Sequence, residues 1–311
     1  MPTSAALEYS KTSTRSSAYS PGFETALERN GIHPEGGDYL PENFGDIQRR
    51  IAVPRPSLSS SVFTNEKVRD FQDQMRNAGR FSEMGVQIGA MPTMRGSNWR
   101  HPNASNLPFN NLNPLIPHEQ LPPARPDFYT GARPGLLDQR ICNELSGTIQ
   151  PSTRGNAPIL PNFTTEFKGP SGTTEVLQRQ ATYNGAHGTR AMRALESHGL
   201  NQMAEPGYQN KAHTVSSTFS DGHLQLYAHH VRGPTSGNGP LPSYQMTILD
   251  GYSLFGSPPH VREGLTAYRN AMDLAAEHRT RAIDGANQRL IQPLPTRWPR
   301  GAHRDSSEGS P

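Results

Sequence analysis

The sequence predicts an α/β (α+β) fold, a mixed central sheet flanked by helices, preceded by an irregular N-terminal region. Three observations carry this. From residue 125 the patterns run strand, helix, strand, helix, hairpin, strand, helix, an order that layers helices over a sheet. Ser220-Asp221-Gly222-His223, between two runs rich in β-branched and aromatic residues, reads as a hairpin turn. Before residue 125, Pro, Asn, Gly and Ser break up the apolar runs.

Composition bounds the answer. The 311 residues are 32% hydrophobic and include 29 glycines and 29 prolines. Such a chain buries one core of about 150–200 residues and leaves a long irregular remainder. A net charge of +3 and a pI near 9.1 are compatible with a DNA or RNA partner without requiring one. Cys142 is the only cysteine, which excludes an intrachain disulfide and a cysteine-based zinc cluster; it reads as a small apolar residue on a helix. No run approaches a membrane span, and residues 1–20, rich in Ser and Thr, lack the apolar stretch of a signal peptide. The expectation is an intracellular protein, cytoplasmic or nuclear, with no membrane partner.

Taken in order, residues 1–20 are expected to be disordered. Residues 21–90 should hold short helices: Phe23 to Gly31 with the glycine as stop, Phe44 to Ile51, and Glu66 to Asn77 behind Asn65 as N-cap. In the last of these, Val68, Phe71 and Met75 share one face. Residues 91–124, with scattered apolar positions, are expected to be a linker. The domain proper is expected over 125–292. A short strand at 125–129 leads to a helix at 134–145, opened by Pro134 and closed by Gly147. A strand centred on Phe163 to Lys168 follows, then a long helix over 173–198 stopped by Gly199. Gly185 and Gly188 inside it point to close packing or a kink. The hairpin strands fall at 212–219 and 224–231, a third strand at 244–255, and a last helix runs from Pro258-Pro259 to about Leu290. Its stripe is Val261, Leu265, Tyr268 and Met272. Residues 293–311 read as a disordered tail.

The chemistry centres on Glu166 and Lys168. Two apart on a strand, they point to the same side. A carboxylate that holds a hard divalent cation and an ammonium that positions a water are the parts of a metal-dependent phosphodiesterase; the plainer reading is a cross-strand ion pair at a sheet surface. Asp127 supplies a second carboxylate, so the residues read Pro126-Asp127…Glu166-Phe167-Lys168. This pattern resembles the active-site signature of the restriction-endonuclease-like superfamily, the PD-(D/E)xK nucleases. The resemblance implies that Asp127 and Glu166 bind Mg²⁺ (Mn²⁺ as substitute) from adjacent strands and that Lys168 assists the water. It further implies that a polar residue on the next helix, Gln178 or Gln180, lines the site. A helix falls between the two carboxylates here, a departure from the usual pattern, and it offers Glu144 as a further carboxylate.

Four segments extend the likeness: Pro126 to Pro134, Pro161 to Ser171, Arg179-Gln180-Ala181-Thr182-Tyr183-Asn184-Gly185-Ala186, and Tyr268-Arg269-Asn270-Ala271. Together they resemble a family of uncharacterised fungal proteins, and Phe23 to His33 and Val53 to Leu58 fit that family's N-terminal region. Thr173-Thr174 and Asn184 depart from its pattern, while Glu166 and Lys168 keep it. Two functions follow as expectations. One is a Mg²⁺-dependent nuclease with Asp127 and Glu166 as metal ligands, Lys168 orienting the water and Gln180 in support. The other is a catalytically inactive nuclease-fold module that binds nucleic acid or protein, with residues 1–120 recruiting a partner.

Other candidates are weaker. His229-His230, adjacent on a strand, face opposite sides and read as half-exposed. Gly169-Pro170-Ser171-Gly172 before a helix lacks both phosphate-loop fingerprints and reads as a plain turn. The arginines of the last helix and tail are offset by nearby acids, so a solvated helix face is expected.

Overall fold

The computed structural model describes residues 17–34, 39–79, 82–97, 100–119, 121–170, 172–200, 209–234 and 242–291. The expectations for residues 1–16 and for the tail at 293–311 lie outside the described residues; Ser17 to Ser20 form a turn closed by a 2.7 Å backbone hydrogen bond.

Eight α-helices appear among the described residues: α1 (Pro21–Arg29), α2 (Phe44–Ile51), α3 (Asn65–Gly79), α4 (Glu83–Arg95), α5 (Gln139–Glu144), α6 (Ser146–Ile149), α7 (Thr174–Ser197) and α8 (Pro258–Ile291). Seven strands form one mixed sheet: β1 (Ile32–His33), β2 (Asn103–Ser105), β3 (Phe128–Ala132), β4 (Ile159–Lys168), β5 (Thr214–Ser220), β6 (His223–Arg232) and β7 (Ser243–Ser253). Their order across the sheet is β1-β7-β6-β5-β4-β3-β2. The pairs β1/β7 and β4/β5 are parallel and the rest antiparallel. A parallel neighbour requires a crossover, and α7 supplies it between β4 and β5. The expected mixed sheet flanked by helices is therefore present. Among the described residues, no helix is long and apolar enough to cross a membrane.

Strand alternation divides the helices between two layers. Phe163, Thr165 and Phe167 of β4 face α8. The Phe163 ring meets Tyr268 edge-on at 5.3 Å, and Thr165 Oγ1 lies 3.0 Å from the Tyr268 hydroxyl. Around them Ile47 and Ile51 of α2, Val68, Phe71 and Met75 of α3, and Ala90, Met91 and Met94 of α4 complete the main core with α8. The other face is covered by α7, with α1 outside it, where Phe23 packs edge-on against Tyr183 at 5.4 Å. Close approach explains the glycine inside α7: a Cβ at Gly185 would sit 2.1 Å from the His229 ring. The hairpin turn is as read, with Asp221 and Gly222 at φ 48° and 74°.

Four expectations are corrected. The linker expected over 91–124 is part of the fold: it holds the end of α4 and strand β2, and it buries Leu107, Phe109, Ile116 and Ala124. The short helices of residues 21–90 pack on the domain at 125–292, since β1 pairs with β7 and α2, α3 and α4 share the main core. The helix expected over 134–145 is a 3-10 turn at Pro134–Leu136 followed by α5. The interruption comes from Asp138, whose side chain accepts from the Arg140 N–H at 2.9 Å and starts a new helix as N-cap. Gly147, expected as the stop, lies inside α6. The solvated face expected for α8 holds only in part: Arg269 and Arg279 are buried, and Arg279 donates to Asn162 Oδ1.

Candidate functional site

Register brings the two sequence-predicted carboxylates together. Phe128 pairs with Thr165 and Tyr129 with Thr164, so one step further out Asp127 stands opposite Glu166 across β3 and β4. Directly opposed residues project to the same face of a sheet, with Cβ atoms about 5 Å apart. Tyr129 of β3 belongs to the cluster beneath α7, so both carboxylates lie on the α7 side.

Each carboxylate is held by one donor. Asp127 Oδ2 accepts from the Phe167 backbone N–H at 2.7 Å. Glu166 Oε1 accepts from the Asn184 side-chain amide, whereas Glu166 Oε2 is buried without a hydrogen-bond partner. Burial decides the electrostatics: Asp127 is 8% exposed and Glu166 1%. Desolvation, aided by the Glu83 charge, pushes Asp127 up to about 6 against the pull of the Phe167 N–H and Lys168. Desolvation and then the Asp127 charge raise Glu166 well above the usual carboxylate range. An isolated buried carboxylate is costly unless a cation or further donors compensate it.

Lys168 is 2% exposed, yet it turns to a partner absent from the sequence reading. Its Nζ lies 2.9 Å from Glu83 Oε2 and 3.1 Å from the Phe167 carbonyl. Burial opposes its charge, but the hydrogen bond and charge of Glu83 outweigh burial, and its pKa rises. One turn along α4, Gln87 donates to the Asp127 carbonyl at 2.9 Å. Residues four apart share a helix face, so α4 grips both strands of the site at once.

From the other side α7 presents Gln180 and Asn184, again four apart. Gln180 Oε1 is a second buried acceptor without a partner, and Thr164 Oγ1, two residues before Glu166, is likewise unpartnered. The geometry therefore unites Asp127, Glu166 and Lys168 with Asn184, Glu83 and Gln87, while Gln180 lies one turn before Asn184 on α7. It does not include Glu144, which is exposed and bonds His198 at 2.7 Å. His229 and His230, expected half-exposed, are 2% and 0% exposed because both faces of the central sheet are covered. Gly169, Pro170 and Gly172 form a turn, and Ser171 lies outside the described residues.

Among the described residues, no group of three or more His, Cys, Asp or Glu side chains is arranged to hold a metal ion. The donors at the β3–β4 pair are two carboxylates, an all-oxygen set. Mg²⁺ is commonly held by one or two carboxylates together with waters and substrate phosphates, so these residues fit it. Searches for similar proteins found no matching family model, no matching curated protein and no matching solved structure.

Proposed function

We propose that this chain is a nuclease-like, divalent-metal-dependent phosphodiesterase acting on DNA or RNA. One observation carries the reading: Asp127, just before β3, stands opposite Glu166 of β4, and the buried Glu166 Oε2 lacks a hydrogen-bond partner. Buried acceptors left without donors favour a cation.

Asp127 and Glu166 would hold Mg²⁺ or Mn²⁺, with Gln180 Oε1 in support. When bound, such an ion neutralises phosphate charge and acidifies a water. The chain's own residues do the positioning. Asn184 fixes Glu166 by one oxygen and leaves the other for the ion, while the Phe167 N–H does the same for Asp127. Lys168, kept protonated by Glu83, places a cation where the attacking water and scissile phosphate would meet. Glu83 sets the orientation of that ammonium.

A second reading is favoured by burial. With Glu166 and Lys168 almost wholly enclosed, Lys168 paired with Glu83 of α4 and Glu166 bonded to Asn184 of α7, a phosphodiester reaches them only if these covering elements move. If they stay in place, the chain is a non-catalytic nuclease-fold module that binds nucleic acid or a protein partner.

Cleavage of single- and double-stranded DNA and RNA with Mg²⁺ or Mn²⁺ separates the two. Metal-dependent cleavage by the wild type, lost in Glu166→Gln and Lys168→Ala, is the expected result. Absence of cleavage together with absence of metal binding by calorimetry would refute the enzyme reading and leave the module.

A further inference from the structure

At the opposite end of α4 from Glu83, a pocket of about 410 Å³ opens between α4, α8 and the segment around Arg55. The 13 residues of α4 span roughly 20 Å at 1.5 Å per residue, which separates this pocket from the Glu83–Lys168 pair. Its walls are basic. Arg55, Arg95, Arg100, Arg269 and His101 line it, and Asp273 is the one carboxylate among the lining residues.

Asp273 is already engaged. Its Oδ2 accepts from Arg55 Nη1 at 2.6 Å, and its Oδ1 lies 2.8 Å from His101 Nε2. Arg269 is a fixed wall of the pocket rather than a solvated side chain. It is 9% exposed, its Nε donates to the Met94 carbonyl at 3.0 Å, and its Nη2 donates to the Thr93 carbonyl at 2.6 Å. These are C-terminal carbonyls of α4, so they lock the plane of the guanidinium. Gly96, at φ 78°, leaves the flank of that plane open, because a Cβ there would stand 2.9 Å from Arg269 Cζ and 3.2 Å from Nη1. Burial, and then the nearby Arg55 charge, pulls Arg269 down to about 10. Like charges held together around a cavity are relieved by an anion.

We propose that this pocket binds the phosphate group of a small phosphorylated ligand. Guanidinium forks match phosphate oxygens bidentately, and a tetrahedral dianion can accept from several forks at once where a carboxylate satisfies one. The volume lies in the lower part of the range for small-molecule sites, enough for a phosphate with an attached sugar or ring.

The test titrates the full chain by calorimetry with inorganic phosphate, a 5′-nucleoside monophosphate and a short single-stranded oligonucleotide. Wild type is compared with Arg100→Gln and Arg269→Gln. Arg49→Gln serves as a control that removes an exposed charge of α2 paired with Asp46 and the Gly45 carbonyl. Arg100 is exposed, so its variant reports on binding even if Arg269→Gln loses the clasp on α4 and fails to fold. The expected result is one saturable phosphate site, tighter for the nucleotide, weakened roughly 10- to 100-fold by Arg100→Gln and unchanged by Arg49→Gln. Three results would overturn the proposal: no saturable phosphate binding, equal weakening by Arg49→Gln and Arg100→Gln, or binding of the oligonucleotide alone.

Discussion

The buried histidines should make acid destabilise this protein, and His229 allows the effect to be isolated. Its ring is 2% exposed, Nε2 lies 2.6 Å from Ser216 Oγ, and Gly185 of α7 packs directly on it. Desolvation, and next the neighbouring His230, lowers its pKa to about 3; desolvation lowers His230 to about 4. In the unfolded chain both return to about 6.5. Above pH 6.5 neither state binds the proton, so the rings carry no penalty. As pH falls below 6.5 the unfolded state is protonated first, and stability is lost until the folded pKa is reached. At pH 5, about 1.5 units below 6.5, each unit is worth about 1.4 kcal/mol, so His229 alone removes about 2 kcal/mol. Domains of ordinary stability hold about 5–15 kcal/mol in total. Asp127 and Glu166, whose folded pKa values are raised, act in the opposite direction over the same range, so the absolute slope mixes both groups. The informative quantity is a difference: urea unfolding of wild type and His229→Gln at pH 7.5 and pH 5. His229→Gln should lose about 2 kcal/mol less than wild type between the two pH values. An identical loss in both proteins would refute the reasoning, because it would mean that the folded state takes up the proton at His229 without penalty.

The remaining predictions concern packing and the β3–β4 pair. Gly185→Ala places a methyl 2.1 Å from the His229 ring, and the overpacking should cost about 1–3 kcal/mol, read as a lower urea midpoint at unchanged slope. Glu166→Gln keeps an acceptor for Asn184 and replaces the unpartnered Oε2 with a neutral donor beside Asp127. In metal-free buffer at neutral pH it should raise stability by about 1–3 kcal/mol. A fall in its unfolding midpoint would show that Glu166 is compensated where it lies.

Legibility in the sequence followed the strength of local signals. The bounds of α2, the Asp221-Gly222 turn and the apolar stripe of α8 were readable because periodicity and turn chemistry are local. The helix α4 was not, because its apolar residues lie on both sides, with Met84 and Ile88 exposed and Ala90, Met91 and Met94 buried, and Pro92 falls inside it. Strands β1 and β2 have two and three residues, too few for an alternation to register. For the site, Asp127, Glu166 and Lys168 were visible as residue types at suggestive spacing, whereas Gln180 entered only through the family resemblance. Glu83 was invisible: it bonds Lys168 across 85 positions of chain, and nothing local marks such a pair. Gln87 and Asn184 were missed as site residues for the same reason, although Asn184 occupies the helix face on which Gln180 had been placed.

The plain alternative for Glu166 and Lys168, a solvated ion pair across a sheet surface, can be weighed on geometry. In such a pair the two side chains would be exposed and would neutralise one another. Here both are enclosed, and Lys168 is neutralised by Glu83 of another element, which leaves Glu166 to share its surroundings with the like charge of Asp127. Removing a carboxylate from water without a counter-charge costs several kcal/mol, and the surrounding core has to offset it. An apolar or amide side chain at 166 would pair β4 with β3 and β5 equally well, since the ladder bonds belong to the backbone. The cost of Glu166 is therefore not a cost of the fold. Local violations of this kind are expected where a site is arranged for a ligand instead of for stability. The unpartnered Glu166 Oε2 is where the proposed ligand would act, and its chemistry suits a cation or a hydrogen-bond donor.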